Sequence, residues 1–293
     1  MTDARTLTTA LGGRWHGRYG TAPCPVCQPE KRKGQNALTL SDGLNGRLLA
    51  HCKRAECSFW DILRAASVGP GDYHPPDPAE INRREVEQRA EAAKRTQQAT
   101  RLWQEAVAIE GTPAECYLRE TRGICCPLPP TLRFHPRCWH GPTARRHPAM
   151  VALVEGSEGF AVHRTYLLPG GADKAAIEPR KAMLGRMRGG AVRLSDAAGQ
   201  LAVAEGIETA LSLLSGLLRR PASVWAALST SGIRGLHLPP DPGRITIAPD
   251  GDTAGRKAAH ALAERAHSLG WAVELLPAPE GRDWNDILKG SAA

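Results

Sequence analysis

The sequence predicts three folded parts: a small zinc-ribbon-like β domain, an α+β region, and a C-terminal α/β domain with a Rossmann-like, mostly parallel sheet. Closely spaced cysteines predict the first part, β-rich runs between turns predict the second, and apolar runs alternating with helical patterns predict the third. We expect a zinc-binding domain at residues 1–73, a linker and polar helix at 74–108, an α+β basic region at 109–197 and the α/β domain at 198–293.

The composition is that of a folded, basic protein. The 293 residues include 42% hydrophobic side chains and carry a formal net charge of +8. A hydrophobic fraction of this size excludes wholesale disorder. No run of about 20 apolar residues occurs, and residues 1–20 lack the apolar core of a signal peptide. We therefore expect a cytoplasmic protein with reduced cysteines and no membrane partner.

The positive charge is confined to the first two thirds of the chain. Residues 1–197 contain 29 Lys and Arg against 20 Asp and Glu, whereas residues 198–293 contain 9 against 10. This excess favours nucleic acid or another polyanion as the partner of residues 1–197. The slightly acidic last third is expected to do something other than present a phosphate-binding face.

Four cysteines near the start have the spacing of a structural zinc site. Cys24 and Cys27 form a CxxC pair, and Cys52 and Cys57 follow with four residues between them. Four thiolates on two turns can surround one tetrahedral ion. Because the second pair is wider than usual, His51 is the substitute ligand if one of its cysteines lies too far away. The alternative is that these thiols are buried as small apolar side chains.

Basic and aromatic residues alternate around these cysteines, among them Tyr19, Arg47 and Arg54. Such a mixture suits a single nucleic acid strand, since cations pair with phosphates and rings stack on bases. We expect Phe59 and Trp60 to belong to the core of the small domain instead.

The remaining cysteines show no comparable pattern. Cys125 and Cys126 are adjacent, so they cannot easily bind one ion together, and Cys116 and Cys138 stand at irregular intervals. A second metal site that includes a nearby histidine and ordinary unpaired thiols both stay open for these four residues.

Local patterns predict the elements of the middle and last parts. The proline-rich residues 74–78 predict a linker, residues 79–108 a polar helix, and residues 112–194 short strands and turns, with strands at 149–154 and 160–168. In the last part, the expected strands are residues 201–204, 224–228, 245–248 and 272–276, and the expected helices are residues 207–218 and 254–269.

Acidic residues follow the strands of the last part. Glu205 comes directly after the first strand, and Asp250 and Asp252 follow the third. The carboxyl ends of parallel strands meet at one edge of a sheet, where α/β domains bind ligands. With Asp283 or Asp286 from a later segment, these carboxylates predict a Mg²⁺ site. Taken singly, each acid can also be read as a helix N-cap or an ion-paired residue.

The order of these motifs resembles the Toprim domain shared by bacterial primases, topoisomerases and some nucleases. The matching segments are LAVAEGIETALS from residue 201, ITIAPDGDTAGRK from residue 245 and GRDWNDIL from residue 281. The sequences of these segments are most similar to those of the primases of plasmids and prophages, in which a zinc module precedes the Toprim part. The CPVC and HCKRAEC segments match that order, and residues 117–123 and 163–185 are also similar to this group.

The resemblance implies roles for the acidic residues. Glu205 matches the family's glutamate, thought to act in acid–base chemistry or metal contact, and Asp250 and Asp252 match its metal-binding pair. Asp283 or Asp286 would complete the site, with Asp286 preferred.

The resemblance also implies a basic region before the Toprim part that holds template and nucleotide. Four residues of this chain occupy the corresponding stretch, and the alternative is a solvated charged face. These residues are Arg164, Lys174, Arg180 and Lys181.

The resemblance implies a DNA primase that synthesises short RNA primers on single-stranded DNA from ribonucleoside triphosphates, with structural Zn²⁺ and catalytic Mg²⁺ or Mn²⁺. The alternatives are a Toprim nuclease that uses the same acids and an inactive zinc-dependent protein that binds single-stranded DNA. No GxxxxGK[ST] segment occurs, so a replicative helicase would be a separate partner.

Overall fold

The structure, a computed structural model, divides into two compact units, Met1–Glu91 and Ala92–Ala293. The residues it describes are 3–32, 34–43, 47–69, 71–75, 77–218 and 220–291. Within these residues, no helix combines the length and the apolar character needed to cross a membrane.

The first unit contains a four-stranded antiparallel sheet in the order β1-β2-β3-β4. Its elements are α1 (Ala4–Ala10), β1 (Arg14–Trp15), β2 (Gly20–Ala22), β3 (Leu38–Asp42), β4 (Leu48–Cys52) and α2 (Phe59–Ala65). Leu7, Leu38, Leu40 and Ile62 are fully or almost fully buried and form the core between the helices and one face of the sheet. This small antiparallel domain confirms the predicted zinc-ribbon-like fold.

One expectation for this unit is wrong. Trp60 was expected in the core, but it is 69% exposed. Ser58 caps the N-terminus of α2 through its side chain, which accepts a hydrogen bond from the backbone N–H of Asp61. On this short helix only Ile62 is buried, so the face that carries Trp60 remains in solvent.

The predicted polar helix is α3 (Pro78–Glu105). Its Ala, Glu, Gln and Arg residues favour a helix without a continuous apolar face. Near its end it becomes amphipathic, and Ala99, Leu102 and Trp103 pack against Val151 and Val162 of the second unit's sheet.

An antiparallel sheet in the order β5-β6-β7-β8-β9 forms the first half of the second unit. Its strands are β5 (Val107–Ala108), β6 (Leu132–His140), β7 (Arg145–Val154), β8 (Ala161–Tyr166) and β9 (Lys181–Gly185). The structure differs from the expectation of strands and turns alone, because α4 (Pro113–Cys116) continues into a π-helical turn at Tyr117–Thr121. Proline at the first helical position loses no hydrogen bond, so the helix can begin there.

A mixed, mostly parallel sheet in the order β10-β12-β11-β13-β14 forms the second half, with β10 antiparallel and the other four strands parallel. This confirms the predicted α/β class. The elements are β10 (Val192–Ser195), β11 (Gln200–Ala204), α5 (Ile207–Ser212), β12 (Ser223–Ala226), α6 (Thr230–Gly235), β13 (Arg244–Ala248), α7 (Thr253–Ser268), β14 (Ala272–Leu275) and α8 (Trp284–Ser291).

One apolar cluster joins the two sheets of the second unit. It includes Leu132 and Met150 from the antiparallel sheet, Ala204 and Val224 from the parallel sheet, and Leu211 from α5. Because the two halves share this core, the carboxyl edge of the parallel sheet lies next to side chains of the antiparallel sheet.

Candidate active site and metal centre

The four cysteines of the first unit come together. The Sγ atoms of Cys24, Cys27, Cys52 and Cys57 all lie within 4.8 Å of one another, and those of Cys27 and Cys52 are 3.6 Å apart. Tetrahedral zinc with Zn–S bonds of about 2.3 Å places its sulfur atoms roughly 3.8 Å apart, so the cluster fits one zinc ion. His51 is exposed on β4 beside the buried Cys52 and is not a member of the cluster.

Local hydrogen bonds prepare the cysteine turns for an ion. The buried side chain of Gln28 accepts hydrogen bonds from the backbone N–H groups of Cys24 and Ala37, which ties the first turn to the sheet. At the second turn, burial raises the pKa of the Cys52 thiol, but the backbone N–H groups of residues 54, 55 and 57 outweigh this and lower the pKa to about 6. The thiolate is the form that binds zinc, so these N–H groups favour the ligand state of Cys52. At Cys57, on the same turn, burial and the neighbouring Cys52 raise the thiol pKa.

The other four cysteines form no second cluster of this kind among the residues that the structure describes. Cys126 and Cys138 are buried, Cys125 is exposed, and Cys116 is intermediate. All are unpaired thiols.

The predicted acidic residues meet at the carboxyl edge of the parallel sheet. β11 and β13 are adjacent, with Ala204 paired to Ala248, so Glu205 and the turn that carries Asp250 leave the sheet side by side. Asp252 caps the N-terminus of α7 and accepts a hydrogen bond from the backbone N–H of Gly255 at 2.6 Å. The helix N-cap that the sequence offers as an alternative role is therefore present at Asp252. Asp252 also belongs to the acidic group, which comprises Glu205, Asp250, Asp252 and Asp283.

A glycine allows the next acidic segment to approach. The backbone N–H of Gly251 donates to the carbonyl oxygen of Arg282 at 2.8 Å, and that of Gly281 donates to the carbonyl oxygen of Gly251 at 3.2 Å. A Cβ atom on Gly251 would collide with the carbonyl oxygen of Pro279, so only glycine fits between the two segments. Their contact brings Asp283 into the neighbourhood of Asp250.

These carboxylates repel one another. Burial first, and then the charges of Asp250 and Asp252, raise the pKa of Glu205 to about 7. Burial first, and then the nearby charge of Asp283, raise the pKa of Asp250 to about 6. Asp283 therefore acts directly on Asp250.

Asp286 has a different environment from Asp283. The backbone N–H of Asp286 donates to Oδ1 of Asp283, and the backbone N–H of Asp283 donates to Oδ2 of Asp286, so the two acids cap the start of α8 reciprocally. Asp286 is exposed and does not contribute to the raised pKa of Asp250.

The acidic group fits a hard divalent cation by its chemistry. Its ligands are all carboxylate oxygens, and within the described residues no Lys or Arg forms an ion pair with Glu205, Asp250 or Asp252. Uncompensated carboxylates that raise one another's pKa are stabilised by a bound cation. In the described part of the chain, however, only the four cysteines have ligand atoms that already converge, so the acids stand farther apart.

The four predicted basic residues occupy three different environments. Lys174 and Lys181 form ion pairs with Glu208, at 3.0 and 2.9 Å, beside the acidic group. Arg164 lies on the opposite face of the antiparallel sheet, because Lys181 pairs with its neighbour Thr165 and successive side chains of a strand alternate.

Arg164 is held by the backbone rather than by a carboxylate. Its guanidinium donates to the carbonyl oxygens of Trp139 and Met183, both at 3.3 Å. Arg180 is exposed and pairs with Glu178 at 3.7 Å.

Sequence reasoning missed a buried network beside the acids. Glu208 accepts a hydrogen bond from the hydroxyl of Tyr117, and Arg122 donates to that hydroxyl. Asn285 donates to the carbonyl oxygen of Arg122 and to the hydroxyl of Ser212. The sequence signal for this network was Glu208, a charged residue among the apolar residues of α5, because a buried carboxylate needs partners.

Comparison with known proteins gives the class of the C-terminal domain. Residues 200–293 match the Toprim domain family, and residues 93–194 match a domain of unknown function (DUF7146). The chain therefore carries a C-terminal Toprim domain.

Among solved structures, the chain is similar to primases. A DNA primase domain from Pseudomonas aeruginosa is 19% identical, with 67% of this chain and 74% of that chain covered and a TM-score of 0.42. The zinc-binding and RNA polymerase domains of the Aquifex aeolicus primase are 16% identical, with 99% and 83% covered and a TM-score of 0.43. The primase fragment of the bacteriophage T7 primase-helicase is 13% identical, with 92% and 94% covered and a TM-score of 0.33. No curated protein matches the chain.

Proposed function

We propose that the protein is a DNA primase that joins ribonucleotides on a single-stranded DNA template. The observation that carries the proposal is the group of carboxylates at the carboxyl edge of the Toprim sheet, which form no ion pair with any Lys or Arg among the described residues, with Lys181 beside it. Carboxylates that hold a divalent cation next to a lysine are suited to a triphosphate, because both the cation and the ammonium bind phosphate oxygens. Because the proposed substrates, single-stranded DNA and ribonucleoside triphosphates, occur in the cytoplasm, we propose that the protein acts there.

In the proposed reaction, the 3′ hydroxyl oxygen of the growing strand bonds to the α-phosphorus of an incoming ribonucleoside triphosphate. The bond from this phosphorus to the bridging oxygen breaks, and pyrophosphate leaves. When bound, Mg²⁺ or Mn²⁺ neutralises phosphate charge and orients the displacement. Asp250, Asp252 and Asp283 would hold the cation, and Glu205 would take the proton of the hydroxyl or contact the cation.

The first unit supplies candidates for the template contact. The aromatic rings of Tyr19 and Trp60 are 43% and 69% exposed, and Arg47 and Arg54 are exposed in the same unit. Exposed rings and cations are the groups that bind a single strand through stacking and phosphate contacts. We propose that this unit, ordered by its zinc site, binds the template.

A paired substitution tests the proposed reaction. We expect Asp250→Asn with Asp252→Asn to reduce incorporation of labelled ribonucleotides on single-stranded DNA by at least about 100-fold, since both charges that hold the cation are removed. The assay uses the full chain with Mg²⁺. The matched control is Asp241→Asn, an exposed aspartate that follows no strand of the sheet, and it should leave incorporation unchanged.

The same assay separates the alternatives. Unchanged incorporation by the doubly substituted chain would overturn the proposed role of the acids. A labelled oligonucleotide that the wild-type protein degrades without added nucleotides would instead indicate a Toprim nuclease. Binding of single-stranded DNA with neither incorporation nor cleavage would indicate an inactive binding protein.

A further inference from the structure

A buried carboxylate lies one helical turn from the acidic group. Glu208 is three residues after Glu205, and its side chain is only 7% exposed. The position within α5 directs it away from the sheet edge and toward the antiparallel half of the unit, where Tyr117 and two lysines meet it.

Both carboxylate oxygens of Glu208 accept hydrogen bonds within this cluster. Oε1 accepts hydrogen bonds from the Tyr117 hydroxyl at 2.8 Å and from Nζ of Lys174 at 3.0 Å, and Oε2 accepts one from Nζ of Lys181 at 2.9 Å. These charged partners hold the pKa of Glu208 well below its usual range, although burial opposes ionisation. With both oxygens occupied, Glu208 is not arranged as a ligand of the cation.

The cluster carries more positive than negative charge. Two lysine ammonium groups face a single buried carboxylate, and Arg122, which pairs with the exposed Asp173 at 3.4 Å, adds a third cation nearby. Without Glu208, the ammonium groups of Lys174 and the partly exposed Lys181 would repel each other with no carboxylate to offset their lost hydration, and both effects drive lysines to their neutral form. Glu208 therefore keeps a surplus cation charged at this place.

The two lysines differ in access. The side chain of Lys174 is 17% exposed, whereas that of Lys181 is 38% exposed. The charge of Lys181 also acts on both Glu205 and Asp250, lowering the pKa of each against the effect of burial. Lys181 thus contacts Glu208 and is near enough to the acidic group to act on its charges, and part of its side chain is exposed.

We propose that Glu208 is a positioning residue that holds the charged Lys181 at the border of the acidic group, where the ammonium binds phosphate oxygens of a nucleoside triphosphate. Lys174 then serves as the buried partner of Glu208. The inference rests on the proposed function for its ligand class, and it adds a residue that acts only through Lys181.

Equilibrium binding of a ribonucleoside triphosphate with Mg²⁺, without template, tests the inference on the full chain. We expect Lys181→Met to weaken binding by about 10- to 100-fold, the loss of one charge-assisted contact. Glu208→Gln, which keeps the shape but removes the charge, should weaken binding by about 10-fold. Because Glu208 acts through Lys181, adding Glu208→Gln to Lys181→Met should produce no further loss.

Four controls separate positioning from damage to the fold. Glu264→Gln changes an exposed glutamate of α7 and should leave triphosphate binding unchanged. A folding defect would reduce the number of binding sites, whereas lost positioning raises the dissociation constant and leaves that number unchanged. Binding of single-stranded DNA to Glu208→Gln should equal that of the wild type. Because Lys181→Met leaves Glu208 paired with Lys174 and Tyr117, it provides a folded reference.

The outcomes distinguish this inference from the proposed reaction. Any of three results would overturn the positioning role. The losses of affinity multiply in the double variant, Glu208→Gln binds triphosphate as tightly as the wild type, or the wild type binds no triphosphate. If the wild type binds triphosphate and the losses do not multiply, but no primer forms in the incorporation assay, the positioning role stands and the primase proposal falls.

Discussion

Asn285 shows how one side chain connects segments that are far apart in sequence. It is 1% exposed, and its amide donates to the carbonyl oxygen of Arg122 at 2.7 Å and to the hydroxyl of Ser212 at 2.9 Å. Asn285 lies between Asp283 and Asp286, so this anchor fixes the start of α8. These two hydrogen bonds offset the cost of burying the Asn285 side-chain nitrogen.

Asp250 makes the stability of the protein depend on pH in magnesium-free buffer. Its pKa is about 6 in the folded protein against an ordinary value of 3.8, so between these values the folded chain binds more protons than the unfolded chain. The Asp250 contribution to the free energy of unfolding therefore falls as the pH rises through this window.

We expect Asp250→Asn to raise the Tm at pH 8, by on the order of 2 °C, because the variant removes a buried, repelled charge. At pH 5, where the folded Asp250 is mostly protonated, the difference should nearly vanish. Thermal unfolding at pH 8 and at pH 5 measures the two Tm differences. Chelator is left out so that zinc is retained. Asp241→Asn should show no such pH dependence, and a lower Tm for Asp250→Asn at pH 8 would contradict the repulsion.

At the scale of elements, turns rather than strands bring the functional groups together. Strands β11 and β13 set the edge, but Gly251 permits the contact through which the segment before α8 delivers Asp283. In the first unit, the turn after β2 and the turn after β4 deliver the cysteine pairs in the same way. Each site therefore depends on two turns held by a sheet.

The zinc site gives a prediction for such a pair of turns. We expect Cys24→Ser with Cys27→Ser to lower the zinc content from about one ion per chain to near none, because two thiolates do not complete a tetrahedral site. Elemental analysis of the purified protein measures this. His51→Ala should retain the zinc, since His51 is outside the cluster. Zinc retained in the paired cysteine variant would remove the proposed site.

At the scale of the whole molecule, the boundary between the basic and acidic parts of the chain does not coincide with a boundary in the hydrophobic core. The positive excess belongs to residues 1–197 and the acidic group to residues 198–293. The core of the second unit nevertheless crosses residue 197, because side chains of both sheets form one apolar cluster. A basic region and an acidic region thus share a core, which holds Lys174 and Lys181 against Glu208.

The shared core predicts that both sheets of the second unit lose stability together. Leu132→Ala removes a side chain that is 1% exposed and should cost about 2–5 kcal/mol through lost burial and the cavity left behind. Hydrogen exchange should then accelerate in β11 and β13 as well as in β6 and β7. Leu40→Ala, from the core of the first unit, should instead accelerate exchange in β3 and β4. Acceleration confined to β6 and β7 in Leu132→Ala would contradict a cooperative second unit.

The sequence by itself determined the four parallel strands of the last part and its helices α5 and α7, the cysteine cluster and the position of the acids at strand ends, whereas α6 and α8 were not expected. These features depend on neighbours within a few residues: alternation, spacing, and glycine or proline at turns. Expected strands at residues 201–204 and 245–248 correspond to β11 and β13 with one residue added at the start of each. Glu205, Asp250 and Asp252 follow from the same local order.

Only the tertiary structure decided which side chains meet across the unit. Glu208 is 27 residues from Lys181 and 91 residues from Tyr117, and no local pattern relates them. No local pattern shows either that Asp283 rather than Asp286 acts on Asp250, because this depends on a contact between two turns. Local periodicity fixes which face of an element is apolar, but the packing of one element on another fixes which charged groups share a buried space.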